Sequence, residues 1–123
     1  MKTGLFDSEL KVMEILWKGG DTTAKDIAKQ LGEQIGWSKT TTYTVIKKCI
    51  DKGAIQRLDP NFLCRALVSK EEAREHETME LVDKMYGGSS DLLVASLISG
   101  NKLTPQQLEK LRKMINELDG ATQ

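Results

Sequence analysis

The sequence predicts a mainly α chain of the α+β class, and three observations carry that expectation. Between Asp7 and Gly53, apolar residues recur at three- and four-residue spacing in three capped segments. Between Ala54 and Val68 the period falls to that of short strands around a turn. Beyond Ser69 the helical period returns in three further segments, two of which open on capping boxes.

Asp7 or Ser8 is placed to cap the first helix. Its stripe is Leu10, Met13, Leu16 and Trp17, widened by Val12 and Ile15, and Gly19-Gly20 ends it. Thr22 or Thr23 caps a short second helix with Ala24, Ile27, Ala28 and Leu31 inward and Gly32 as its stop. A connection through Gly36 leads to a third helix from Ser38 to Lys52. Ser38 can accept from the free amides of its first turn, and Gly53 can take the left-handed position beyond its end. Thr42, Val45, Ile46, Cys49 and Ile50 form the inner face of this helix. Lys39, Thr40, Tyr43, Thr44 and Lys47 lie largely on the other side, where a purely structural helix would carry Glu and Ala. Four threonines lower its helix propensity. Hydroxyls, a phenol and ammonium groups together can bind phosphates and base edges, so this segment reads as a recognition helix.

Ala54–Leu58 and Phe62–Val68 read as two strands joined by Asp59-Pro60-Asn61, whose Pro and Asx residues favour a bend. Strands this short need the helices as a floor. Three helices followed by a small hairpin is the order of a winged helix-turn-helix, and residues 1–69 are read as that domain. Ser69-Lys70-Glu71-Glu72 then opens a helix carrying Leu81, Val82, Met85 and Tyr86, broken by Gly87-Gly88-Ser89-Ser90. Leu92, Leu93, Leu97 and Ile98 mark a short segment ended by Gly100. Thr104-Pro105-Gln106-Gln107 opens the last helix, with Leu108, Leu111, Ile115 and Leu118 on one face. Such narrow stripes cannot enclose a core alone. Residues 70–123 are therefore read as a helical region that pairs with a second copy about a twofold axis, the alternative being a monomer with these helices folded back.

Composition bounds the function. With 39% hydrophobic and 29% charged residues in 123, the chain is globular rather than disordered. Its net charge of +0 hides an asymmetry: 12 Lys and Arg against 8 Asp and Glu in residues 1–70, and 6 against 10 thereafter. A positive half suits a polyanionic partner, although uneven surface charge alone would give the same count. No apolar run is long enough to span a membrane, and the N-terminal residues lack a signal-peptide core, so a cytoplasmic location is expected. Cys49, on an apolar helix face, and Cys64, in a strand, read as buried free thiols. The single His76 sits among Glu72, Glu75, Glu77 and Glu80 in what reads as a solvated acidic helix. No second histidine or cysteine stands at metal-ligand spacing, and there is neither a glycine-rich phosphate loop nor a nucleophile elbow. Neither catalysis nor a metal or cofactor is expected.

These residues resemble those of the BlaI/MecI/CopY family of penicillinase and methicillin-resistance repressors. The likeness rests on Glu9, Val12-Met13 and Leu16-Trp17, then on Trp37-Ser38 with the threonines that follow. It continues through Lys52-Gly53-Ala54-Ile55 and Arg65-Ala66-Leu67-Val68-Ser69, Leu92-Leu93-Val94, and the run from Leu103 to Leu111. The resemblance implies a homodimeric winged-helix repressor on a palindromic operator. The DNA-reading positions it implies are Lys39, Thr40, Thr41, Tyr43, Thr44 and Lys47. The dimerisation region it implies takes in Leu92-Leu93-Val94 and the run from Leu103 to Leu111, and the stripe residues Leu81, Met85, Leu92, Leu93, Leu97, Ile98, Leu108, Leu111, Ile115 and Leu118 are the candidates for pairing.

Tyr43 is open to three roles: over a sugar-phosphate, against a thymine methyl, or packed back on the domain. Arg57 and Arg65 in the wing are phosphate candidates or simply solvated strand charges, and Asp59 stands at the wing tip where many wings carry Arg or Lys. The copper-responsive branch carries a cysteine-rich tail, absent from Gly120-Ala121-Thr122-Gln123. The penicillinase branch implies a sensor protease or another inducer component as partner, cutting an Asn-Phe bond in the helix after the wing. No such bond stands near Met79-Glu80, and Asn61-Phe62 lies in the wing turn. The competing function from another class is a winged-helix module that docks on protein without specific DNA binding.

Overall fold

The computed structural model describes residues 4–122, in the order α1 (Asp7–Gly19), β1 (Thr22–Thr23), α2 (Ala24–Ile35), α3 (Lys39–Asp51), β2 (Ile55–Leu58), β3 (Leu63–Ala66), α4 (Lys70–Met85), α5 (Ser90–Ser99) and α6 (Pro105–Thr122). The fold is mainly helical with one small antiparallel sheet, the predicted α+β class. The chain divides into two units, one ending at Glu80 and the other beginning at Leu81.

Caps start and stop these helices, though not always the expected ones. Phe6, not Asp7 or Ser8, is the N-cap of α1. Its N–H donates to the Glu9 carboxylate at 2.6 Å, so the glutamate half of a capping box suffices. Asp7 then lies in the first turn, where its charge favours the positive end of the helix dipole. Thr23 caps α2 by accepting from the Asp26 N–H at 3.2 Å. Gly32 does not stop α2. The helix runs on to Ile35, and Gly36, at φ 72°, makes the left-handed exit that terminates it.

The sheet order is β1-β3-β2, with Thr22 opposite Cys64 and Ile55 opposite Ala66. β1 was not anticipated, because two residues are too few to show any alternation. The expected strand Phe62–Val68 shortens at both ends. Phe62 turns into the left-handed region at φ 51°, and Leu67 leaves the ladder while its N–H still donates to the Ala54 carbonyl at 2.8 Å.

The core of the first unit is the meeting of three faces. Val12, Met13, Ile15 and Leu16 of α1 pack with Ala24, Ile27 and Leu31 of α2 and with Val45, Ile46 and Cys49 of α3. Ile55, Cys64, Val68 and Ala73 close it. Leu10 and Trp17 lie at its edge, and the Trp17 indole donates to the Val68 carbonyl at 2.9 Å. This floor holds α3 with its outer face free.

In the second unit, Thr104 and Gln107 form both bonds of a capping box, at 2.9 and 3.1 Å, and set the start of α6. The Tyr86 hydroxyl meets Ser96 at 3.0 Å. From Leu81 onward, Val82 is the one buried apolar side chain among the described residues.

Candidate nucleic-acid interface

Helix α3 is capped as its sequence predicts. Ser38 accepts from the Thr41 N–H at 3.1 Å and returns its own hydroxyl proton to the Thr41 oxygen at 2.9 Å. Thr42, Val45, Ile46 and Cys49 are buried and Ile50 half-buried, while Lys39, Thr40, Thr41, Thr44 and Lys47 are exposed. The buried Thr42 hydroxyl is satisfied by the Ser38 carbonyl at 3.2 Å. No acidic residue stands in the first turn of α3. The partial positive charge at its N-terminus is therefore left uncompensated, and Lys39 adds to it.

Lys39, Thr40, Tyr43, Thr44 and Lys47 line one shallow, open depression along the helix. The threonines differ in what they offer. Thr44 donates its hydroxyl proton back to the Thr40 carbonyl at 2.9 Å, leaving acceptor lone pairs and a methyl outward. The Thr40 hydroxyl has no protein partner among the described residues and can donate or accept. Thr41 lies outside this depression and is engaged in the cap.

The wing is tied to this face through aromatic rings. Tyr43 is half-buried and packs edge-to-face on Phe62, with ring centroids 5.7 Å apart. Lys39 Nζ stands 5.6 Å from the Tyr43 centroid, and the Arg57 guanidinium carbon lies 3.8 Å from that of Phe62. The Phe62 carbonyl accepts from the Ala24 N–H at 2.9 Å, which ties the wing turn to the first residue of α2. The Tyr43 ring thus packs in part on the domain, and its exposed remainder lines the depression. Arg57 pairs across the ladder with Cys64, so Arg65, the next residue of β3, points to the opposite face. The structure therefore brings Arg57 to the α3 face and leaves Arg65 apart from it.

Both wing arginines already hold a carboxylate. Arg57 Nε donates to Asp59 Oδ1 at 3.0 Å, and Arg65 donates from Nε and Nη2 to Asp21 Oδ2 at 3.0 and 2.8 Å. The hydrogen bonds that Arg65 donates to Asp21, and the Asp21 charge, raise the pKa of Arg65 further, so its charge is permanent.

One polar pair escaped the sequence reading. Glu9 is fully buried, and its Oε1 accepts from Lys52 Nζ at 2.6 Å as well as from Phe6. Lys52 caps α3, donates to the Gly4 carbonyl at 2.8 Å and lies over the Phe6 ring. The signal was present: Glu9 sits three, four and seven residues before Val12, Met13 and Leu16, inside their apolar stripe.

Cys49 and Cys64 are free and buried. Burial pushes the Cys49 thiol up to about 12, helped by the nearby Glu9 charge, and pushes Cys64 up to about 11. His76 meets Glu80 at 3.0 Å, and no group of residues able to hold a metal exists among the described residues. Leu81, Met85, Leu92, Leu97, Ile98, Leu108, Leu111, Ile115 and Leu118 are exposed in the single chain and Leu93 is half-buried.

The model of the penicillinase repressor family matches residues 5–117. The chain is 28% identical over 112 residues to the methicillin resistance regulatory protein MecI of Mammaliicoccus sciuri, covering 89% of this chain and 91% of that one. It is 22% identical over 113 residues to the penicillinase repressor of Bacillus licheniformis, covering 90% and 88%. The solution structure of the DNA-binding domain of the repressor BlaI superposes with a TM-score of 0.53 at 26% identity, over 58% of this chain and 93% of that one. A second structure, of monomeric Bacillus licheniformis BlaI in complex with the blaP half-operator, shares the fold with a TM-score of 0.50 at 24% identity, over 58% and 90%.

Proposed function

Because the chain belongs to the penicillinase repressor family, we propose that it is a DNA-binding transcriptional repressor that occupies a palindromic operator as a homodimer. The observation that carries this reading is the outer face of α3. Two ammonium groups, a free threonine hydroxyl and an uncompensated helix N-terminus share one open surface, held out by a packed inner face. Such a helix enters the major groove with its N-terminal residues toward base edges. In this role Thr40 donates or accepts at a base edge, and Thr44 presents a methyl and lone pairs to its neighbour. Lys39, Thr41 and Lys47 grip phosphate, Tyr43 braces the helix against the wing, and Arg57 is the wing's phosphate contact on this face.

The exposed apolar residues of the second unit, from Leu92 to Ile98 and from Leu108 to Leu118, support pairing with a second copy. A dimer sets two recognition helices about 34 Å or a multiple apart, so two weak half-sites become one specific site. Bound across a promoter, the dimer excludes polymerase. We place its action in the cytoplasm, where the chromosome is. The described helices include none long and apolar enough to cross a membrane.

Selection from a random duplex library tests this reading. A palindromic sequence is expected, and a selection with no sequence preference refutes specific operator binding. On the selected duplex, Thr40→Ala and Thr44→Ala should each cost about 1 to 3 kcal/mol in the ratio of selected to random binding. Lys47→Ala should weaken both and shrink the salt slope by about one unit.

A further inference from the structure

The wing carries its own counter-charges. Arg57 is fixed from two sides, by the ring of Phe62 beneath its guanidinium and by Asp59 at its Nε. Through Phe62 it belongs to the same surface as Tyr43 and Lys39 of α3. Asp59 stands beside that surface in the wing turn, with 64% of its side chain exposed. Asp21 repeats the arrangement on the other face of the sheet, taking two donors of Arg65 on one oxygen.

We propose that Asp59 is an intramolecular brake on DNA binding: its carboxylate occupies Arg57 and cancels that charge on the surface the wing shares with α3. This rests on the reading of the chain as a DNA-binding repressor. A phosphate that captures Arg57 must either displace Asp59 or sit beside it. Displacement exchanges one charge-assisted bond for another and leaves a carboxylate facing a polyanion, while co-occupancy places two anions on one guanidinium. On the α3 face the wing therefore adds one cation and one anion, and the net positive grip is left to Lys39 and Lys47. Phosphate neutralisation sets the affinity for DNA of any sequence. The brake thus keeps the protein from being held wherever it lands and leaves discrimination to the threonine face.

The pairs are exposed, so breaking them costs the fold little. Asp59→Asn keeps the shape and removes the charge. Binding of full-length protein to a fluorescein-labelled random-sequence duplex, titrated across salt, reads the effect. Asp59→Asn should bind more tightly than wild type and steepen the log–log salt slope by about 0.9, and adding Asp21→Asn, on the opposite face of the sheet, should steepen it no further. Between about 50 and about 200 mM salt, the advantage of Asp59→Asn should then shrink by roughly threefold. Asp59→Asn made together with Arg57→Gln should show no steepening.

An unchanged slope in Asp59→Asn, with wild type binding the duplex, overturns the brake. Steepening that persists without Arg57 overturns it too, because the carboxylate would then act by plain repulsion. Equal steepening by Asp21→Asn alone also overturns it, because the effect would then be one of net charge and not of the α3 face. Wild-type protein that binds no duplex at all refutes the repressor reading instead.

Discussion

Two thiols and a carboxylate lie in the core of the first unit, and each states what its surroundings permit. Cys49 and Cys64 keep their protons far above the ordinary value of 9.0, because the folded interior rejects thiolate. Below pH 9 both folded and unfolded chains hold these protons and stability is unaffected. As pH rises further, the unfolded chain releases them and the native state does not, so stability falls toward the folded values of about 11 and about 12. The expected loss is about 1.4 kcal/mol per thiol for each pH unit in that window, read by urea unfolding at stepped alkaline pH. Cys49→Ala should flatten the pH dependence. A wild-type stability that stays level from pH 9 to 11 would contradict the burial argument. Both cysteines were legible as buried from pattern alone. The Glu9–Lys52 pair was not, because it joins residues 43 positions apart and periodicity sees one helix at a time.

At the scale of elements, helix α3 was readable almost residue by residue: a serine cap, an inner apolar face, an outer polar one and a terminal glycine. Its seat against the wing was not. Phe62 looked like the first residue of a strand and is instead a bracket between β2, α2 and α3, held in the left-handed region at φ 51°. A non-glycine residue there costs of order 1 to 3 kcal/mol and persists only where surrounding contacts over-determine it. Phe62→Gly relieves that strain and deletes the ring. If the ring places the wing, the variant should lose affinity on selected and random duplexes alike. If backbone geometry alone mattered, binding would be retained. Restoration by Phe62→Tyr, which keeps the ring, separates loss of the bracket from a general defect. Gly32 teaches the same limit. Read as the stop of α2, it is passed over, and the helix ends instead at Gly36, whose left-handed turn lets the Trp37 N–H reach the Leu31 carbonyl at 3.4 Å.

For the molecule as a whole, the exposed leucines and isoleucines of α5 and α6 are the unfinished part of the structure. We expect Ile115→Glu with Leu111→Glu to shift sedimentation from dimer to single protomer. Operator affinity should fall steeply while the secondary structure of the first unit is retained. Sedimentation of wild type as a protomer at micromolar concentration would argue that these faces close within one chain.

The fold class, most caps, the inner and outer faces of α3 and the amphipathic stripes beyond Ser69 were determined by sequence alone, because each depends on residues within a turn or two of one another. Tertiary structure alone decided the burial of Glu9 against Lys52, the bracket at Phe62 and the pairing of each wing arginine with an aspartate. Even the neighbouring Arg57 and Asp59 had to be posed by the hairpin before they could meet. Charge partners and ring contacts depend on which surfaces the packed core brings together, and that geometry is a property of all the faces at once.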